Sequence, residues 1–193
     1  MRFFRWDSRV AVLLVGVLAA GCGDEAVAPA YVGTVAGSDA VVGLVGDGEH
    51  VQLYLCGGAT SYAELTRWFQ GPIAADGTFS IESGGFVATG SLTTGKGEVK
   101  TESGELLSWS VARADGELSG LYAAMDGSCR TGVVVGDFDG DGSIDVQGTW
   151  CNGKDLFAQV TPLTPIAITD RGIRVRVDVD PPKDLYVDRV RVP

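Results

Sequence analysis

Short apolar runs, separated by glycine-containing turns at intervals of about ten residues, constrain the fold of this chain more than any other feature. Glycine supplies 28 of the 193 residues, well above an average share of about 7%. Turns such as Asp76-Gly77 and Asp115-Gly116 bound runs whose length suits strands better than long helices. The pattern predicts an all-β fold, an antiparallel sandwich or barrel, with one short helix.

The clearest strand predictions come from a hairpin near residue 46 and from an alternating stretch near the C-terminus. Val41–Val45 and Val51–Leu55 flank Gly46-Asp47-Gly48, and Asp-Gly between apolar runs is a strong hairpin signal. In residues 173–179 isoleucine and valine alternate with charged residues, as in a half-buried strand, until Pro181-Pro182. Further strands are predicted at 78–82, 86–92, 97–101, 106–113 and 120–124, with a last one at 185–192 closing a sheet edge.

The one predicted helix begins after Ser61. Ser61 and Glu64 have the spacing of a capping box. The apolar residues that follow at helical spacing, before Gly71-Pro72 stops the run, are Tyr62, Leu65, Trp68 and Phe69. We expect these side chains to pack in the core.

The N-terminus has the composition of an export signal. Three arginines lie within residues 1–9, and Val10–Ala20 is apolar apart from Gly16. These 11 residues are too few to span a bilayer, which needs about 20, but they fit the apolar segment of a signal peptide.

Leu18-Ala19-Ala20-Gly21-Cys22 follows directly. It resembles the bacterial lipobox, in which small residues precede a cysteine that receives diacylglycerol before cleavage; Ala19 stands where leucine is more usual. The resemblance implies a lipoprotein signal peptide at residues 1–21 and a lipid anchor with palmitate-type acyl chains on Cys22. A tether at 22–30 and a β-rich domain at 31–193 would follow. The implied location is the bacterial cell envelope, bound to a membrane and outside the cytoplasm.

Three further cysteines bear on the fold: Cys56, Cys129 and Cys151. Exported chains meet oxidising conditions, so one disulfide is expected among three possible pairings. We favour Cys129–Cys151, because their midpoint lies in the turn between the apolar segments 133–135 and 144–150. Cys56 is then expected to be a buried thiol. No CxxC motif indicates a zinc or redox site.

An internal repeat is also indicated. Residues 51–56 read VQLYLC and residues 146–151 read VQGTWC, an offset of 95, while Gly46-Asp47 recurs as Gly136-Asp137 at an offset of 90. We interpret these matches as two related units, residues 31–121 and 122–193, whose strands pair into one core.

The second of these turns, residues 137–145, is acidic. Carboxylates occupy its positions 1, 3, 5 and 9, with glycine at 6 and Ile144, expected to tuck into the core, at 8. The segment resembles the DxDxDG loops of dockerins, EF-hands and calcium-binding repeats of surface β-propellers, but Gly148 stands where an EF-hand has its bidentate glutamate. The resemblance implies a structural Ca²⁺ held by Asp137, Asp139, Asp141, the Ser143 carbonyl and Asp145.

Charge and motifs narrow the function classes. The net charge is −10, and loss of residues 1–21 would leave about −12, which argues against a nucleic-acid partner. His50 is the sole histidine, and no GxSxG elbow, phosphate-binding loop or dinucleotide fingerprint occurs. We therefore expect a non-catalytic binding or envelope-structural domain, with a protein or glycan ligand. The alternatives are a carbohydrate-active or other hydrolase using a carboxylate pair, and an accessory or inhibitor protein of an envelope complex.

Overall fold

The computed structural model describes residues 28–153 and 157–192. The predicted signal peptide, Cys22 and most of the predicted tether lie outside this part of the chain. Within the two described ranges, no helix has both the length and the apolar character needed to cross a membrane.

Nearly all of the regular secondary structure in the described residues is strand, which confirms the predicted all-β class with one short helix. The elements of the first half are β1 (Ala30–Val35), β2 (Val41–Gly46), β3 (His50–Cys56), α1 (Tyr62–Leu65), β4 (Arg67–Pro72), β5 (Thr78–Ser83), β6 (Phe86–Ser91), β7 (Lys96–Lys100) and β8 (Leu106–Arg113). The elements of the second half are β9 (Gly120–Asp126), β10 (Cys129–Gly136), β11 (Asp145–Cys151), β12 (Phe157–Pro162), β13 (Ile168–Thr169), β14 (Gly172–Val177) and β15 (Lys183–Arg189).

These strands form two antiparallel sheets, both barrel-like. The first has the order β4-β3-β2-β1-β8-β7-β6-β5, and its two end strands, β4 and β5, lie side by side. The second has the order β12-β11-β10-β9-β15-β14-β13, and an additional pairing between β12 and β14 curls it on itself. The order β4-β3-β2-β1 in the first sheet thus has a counterpart, β12-β11-β10-β9, in the second.

The recurring VQ string occupies corresponding strands of the two sheets, β3 and β11. Val51 packs in the interior of the first sheet and Val146 against the interior of the second. Gln52 and Gln147 point out of these interiors: Gln52 donates to the Arg191 carbonyl at 2.9 Å, and Gln147 to the Cys56 carbonyl at 3.0 Å.

Apolar side chains form three clusters: one inside each sheet and a third between the sheets. Phe69 and Trp109 are prominent in the first, Tyr122 and Trp150 in the second. The third cluster joins β2 and β3 to β9 and β10; its buried members are Val41, Val45, Tyr54, Cys56, Leu121, Val134 and Val190. The sheets therefore pack face to face, and all six residues of β2 are buried because each face of this strand meets a different core.

Close approach of the sheets depends on a glycine at the centre of β2. A Cβ atom at Gly43 would lie 2.8 Å from Leu121 Cδ1 and 3.1 Å from Val134 Cγ2. Any larger residue would force the sheets apart, because packed interiors yield little.

An aromatic stack also contributes to this interface. The Trp68 ring stacks on Tyr54 with centroids 4.5 Å apart, and the Arg130 guanidinium lies 3.7 Å from the Trp68 ring centre. Trp68 Nε1 also donates to the Arg130 carbonyl at 3.0 Å. Burial lowers the pKa of Arg130.

The predicted helix is wrong beyond Leu65. Trp68 and Phe69 lie on β4, paired opposite Tyr54 and Leu53 of β3, because sheet pairing outweighs the helical spacing of the local sequence. Ser61 makes no capping hydrogen bond to α1. Its hydroxyl donates to Asp39 and accepts from the Gly58 N–H instead.

Other predictions are confirmed. β2 and β3 form the expected hairpin, and Ile173, Val175 and Val177 of β14 are buried while Arg174 and Arg176 are exposed. The last strand does not close an edge, however: β15 lies between β9 and β14, and the two-residue β13 takes the edge position.

The favoured cysteine pairing is confirmed. Cys129 and Cys151 are joined with their Cα atoms 5.8 Å apart, at neighbouring ends of β10 and β11. Cys56 is a buried thiol in the cluster between the sheets, and burial raises its pKa to about 11. The position of the turn between β10 and β11 thus sufficed to predict this pairing, and the buried Cys56 thiol followed by elimination.

Candidate functional site

The acidic loop joins β10 to β11, since β10 ends at Gly136 and β11 begins at Asp145. Asp137, Asp139 and Asp145 converge there, each offering a carboxylate oxygen within 4.8 Å of the other two. Asp137 and Asp139 are exposed, and Asp145 is half-buried. The loop thus gathers three carboxylates round one point at the surface.

Backbone N–H groups hold these carboxylates in place. Asp137 accepts from the Gly140 N–H at 2.7 Å and from the Gly142 N–H at 2.9 Å. Asp145 accepts from the Phe138 N–H at 3.2 Å. Gly140 and Gly142 have φ of +79° and +86°, a left-handed conformation that favours glycine. The alternation of aspartate and glycine therefore gives the chain the bends that wrap it round the carboxylates.

Asp141 and Ser143, the other two sequence candidates, turn towards each other. Asp141 Oδ1 accepts from the Ser143 N–H at 2.7 Å and from the Ser143 hydroxyl. These two hydrogen bonds lower the pKa of Asp141. The Asp141 carboxylate is therefore outside the group of three that converge, although it lies on the same short loop.

Phe138, not Ile144, attaches the loop to the body of the domain. Ile144 is 40% exposed, so the expectation that it tucks into the core is wrong. Phe138 packs against the cluster between the sheets and lies beside Gly136. Position 138 therefore supplies the apolar contact that the sequence pattern had assigned to position 144.

Within residues 28–153 and 157–192, no basic side chain forms an ion pair with this loop. The ion pairs among the described residues join Arg174 and Arg176 to Asp184, and Lys183 to Asp126. Unpaired carboxylates in contact repel one another, and a hard cation with oxygen ligands relieves that repulsion. The arrangement is chemically suited to Ca²⁺, which takes oxygen ligands from flexible acidic loops.

His50 lies beside the turn between β2 and β3, which corresponds in the first sheet to the acidic loop. It is exposed at the start of β3, and its backbone N–H donates to Asp47 Oδ1 at 2.7 Å. Backbone hydrogen bonds from His50 and Glu49 lower the pKa of Asp47. These contacts stabilise the turn between β2 and β3.

Comparison of the chain with protein-family models, with curated proteins and with solved structures found no match.

Proposed function

We propose that the chain is a bacterial lipoprotein, held at a membrane surface by lipid on Cys22, and that its β domain is a non-catalytic binding or envelope-structural module. The observation that carries this proposal is the Leu18–Cys22 segment, placed directly after an apolar stretch of 11 residues. A peripheral domain with two or more acyl chains stays on the membrane, since each buried methylene contributes about 0.8 kcal/mol.

The path of the described chain supports attachment at one end of the domain. Ala30 is the first residue of β1 and pairs with Val45, beside the β2–β3 turn. Gly120, the first residue of β9, lies next to Ala30 and pairs with Val135, so the acidic loop is at the same end. The segment from Cys22 to Ala30 reaches at most about 28 Å, which would keep this end close to the bilayer.

The joined cysteines support export as well. Disulfides persist in oxidising compartments and are rare in the bacterial cytosol. The Cys129–Cys151 pair is therefore consistent with a domain that folds after translocation.

We propose further that the acidic loop binds one Ca²⁺ with a structural role. Asp137, Asp139 and Asp145 would supply carboxylate oxygens, and the Ser143 carbonyl and Asp141 remain candidates from the sequence. Bound Ca²⁺ would cancel the repulsion among the carboxylates and lock the hairpin of β10 and β11.

Metabolic labelling tests the anchor. Cells producing the full chain are grown with radiolabelled palmitate, alongside cells producing Cys22→Ala and, as the matched control, Cys56→Ala. We expect label and membrane fractionation in the wild type and in Cys56→Ala, and neither in Cys22→Ala. An unlabelled wild-type chain in the soluble cytosolic fraction would contradict the proposal.

Calorimetric titration tests the ion separately. Ca²⁺ should release or absorb heat on binding to the wild type, and a double substitution of Asp137→Asn and Asp139→Asn should abolish the signal. Asp47→Asn, in the corresponding turn of the first sheet, is the matched control and should bind as the wild type does. Absence of both heat and a thermal shift with Ca²⁺ would remove the ion from the proposal and leave the anchor untouched.

A further inference from the structure

A cavity of about 490 Å³ opens at the end of the first sheet that carries α1. This end is opposite Ala30: β3 runs from the β2–β3 turn down to Cys56, which pairs with Val41, whereas Ala30 pairs with Val45. The side chains that matter for recognition are Glu64, Arg67, Phe86, Glu102 and Glu105. The opening is thus far from the acidic loop and from the start of the described chain.

Arg67 is the distinctive residue of this cavity. Its guanidinium lies over the ring of the buried Phe86, 3.8 Å from the ring centre. Its Nε atom is buried and has no hydrogen-bond partner among the described residues. None of the ion pairs found in the described ranges involves Arg67, although glutamates line the same cavity.

Because Nε is buried, a ligand in the cavity can reach only the terminal nitrogens of this guanidinium. A guanidinium has five N–H donors and no acceptor, and donors that are desolvated without an acceptor are unfavourable. A carboxylate matches the fork of a guanidinium with two parallel hydrogen bonds, which are roughly twice as strong as neutral ones. A neutral sugar hydroxyl would satisfy the donor but would return less of the cost of removing the cation from water.

The glutamates add a second condition. Glu64, Glu102 and Glu105 are exposed and line the mouth of the cavity, so together with Arg67 they leave an excess of negative charge. A simple anion would be repelled. A ligand with a carboxylate for Arg67 and an ammonium group for the glutamates would satisfy both signs.

The serine and threonine of the lining impose no further demand. The Thr101 and Ser103 hydroxyls hydrogen-bond each other at 2.8 Å, and Thr101 Oγ1 also accepts from the Glu105 N–H at 3.1 Å. The hydroxyls of the turn between β7 and β8 therefore already have partners within the turn, and these hydrogen bonds fix the backbone that carries Glu102 and Glu105.

We propose that this cavity binds a small zwitterion of the amino-acid or short-peptide class, with its carboxylate on Arg67 and its ammonium group among Glu64, Glu102 and Glu105. The cavity is large enough for a dipeptide, and the apolar lining residues Ala63, Leu65 and Phe86 can contact a short side chain. This cavity is remote from the acidic loop, so ligand binding here does not depend on Ca²⁺ binding there.

Ligand-observed NMR on the detergent-solubilised full chain tests the proposal. The probes are the common L-amino acids and alanyl-alanine at millimolar concentration, with N-acetylated and C-amidated alanyl-alanine as matched controls that each lack one charge. We expect saturation transfer to at least one zwitterion, and affinity lowered about tenfold or more by either blocking group. No transfer to any zwitterion of the panel would overturn the proposal, as would binding of maltose in their place.

Variants assign the two charges to their partners. Arg67→Gln should abolish the dependence on the carboxylate, and Arg67→Lys should restore part of the affinity. Glu102 lies on an exposed turn, so its substitution should not affect folding. Glu102→Gln should weaken the binding only of ligands that carry the ammonium group. Arg113→Gln and Glu82→Gln, on strands outside the cavity, are the matched controls; unchanged binding in Arg67→Gln and Glu102→Gln would overturn the assignment.

Discussion

The ring of Tyr54 on β3 fills the space that a side chain at position 132 of β10 would need: a Cβ atom on Gly132 would lie 2.4 Å from Tyr54 Cζ. Tyr54 is buried, and the Trp68 ring stacks on it. The ring cannot move aside without breaking this stack. The two sheets therefore touch at a point where one contributes a large aromatic side chain and the other only backbone.

Gly132→Ala tests this contact. We expect the free energy of unfolding to fall by about 2–3 kcal/mol, because overpacking a tight interface forces side chains and backbone to shift. Urea-induced unfolding, followed by tryptophan fluorescence, measures the change. Ser110→Ala, on the exposed surface of β8, is the control and should alter stability by less than about 0.5 kcal/mol. Equal stability of Gly132→Ala and the wild type would show that the interface is looser than described.

Removal of the Cys129–Cys151 link should destabilise the domain by about 3 kcal/mol. The link closes a chain segment with a sequence separation of 22, and the chain-entropy model gives about 3 kcal/mol for a loop of this size. Unfolding of Cys129→Ala/Cys151→Ala, measured with and without dithiothreitol, checks the value. The reductant should destabilise the wild type by a similar amount and leave the double variant unchanged; a wild type insensitive to it would contradict the prediction.

The stability that Asp39 contributes should disappear in acid. Hydrogen bonds from the Ser61 hydroxyl and from the Thr60 N–H and hydroxyl lower the pKa of Asp39 from 3.8 to about 2. A group whose pKa is lower in the folded state stabilises fully above its unfolded pKa and loses that effect as the pH falls through the folded value. Asp39→Ala should therefore cost about 1 kcal/mol at pH 6, a value reduced by the exposure of the site.

The difference between wild type and Asp39→Ala should then shrink between about pH 4 and pH 2. Urea unfolding at four or five pH values gives this curve. Glu82→Ala, an exposed carboxylate on β5, is the control and should give a small difference at every pH. A gap for Asp39→Ala that is constant with pH would show that the loss comes from packing and not from the charge.

Phe138 and Ile144 should respond differently to the same truncation. Phe138→Ala removes the contact between the acidic loop and the cluster between the sheets, so we expect a loss of about 2 kcal/mol in unfolding free energy and weaker binding of Ca²⁺. Ile144→Ala, truncated in solvent, should cost less than about 0.5 kcal/mol. Thermal unfolding with and without Ca²⁺ compares the two; a larger effect at position 144 would contradict the described orientation of the loop.

Local sequence predicted those parts of the fold whose pattern is set by one buried face or one turn. Ile173, Val175 and Val177 alternate with charged residues because β14 is exposed on its outer side. The Asp47-Gly48 turn predicts the hairpin of β2 and β3. Cys129 and Cys151 could be paired because a hairpin places residues equidistant from its turn beside each other.

The strands predicted at 78–82, 86–92, 97–101, 106–113 and 120–124 are confirmed as β5 to β9, but β4 and β1 could not be derived from the local pattern. The helical spacing that ends in Trp68 and Phe69 also suits a strand, and the choice is made by β3, which lies alongside. β1, with the sequence AYVGTV, has one face on the first core and one on the interface, so no alternation marks it. The three converging aspartates were all among the sequence candidates, but the pairing of Asp141 with Ser143 depends on loop geometry that spacing does not encode.

The cavity with Arg67 was also beyond reach of the sequence, for a related reason. Its walls come from α1, from β4 and β6, and from the turn between β7 and β8, and the curvature of the sheet alone brings these segments together. An unpaired arginine could have been suspected only once its neighbours were known.

Because β2 is buried on both faces, one face of this six-residue strand packs in the core of the first sheet and the other packs against the second sheet. Removing either half of the polypeptide would expose the apolar face of the other half to solvent. The two halves should therefore fold as a single cooperative unit and not as two independent domains.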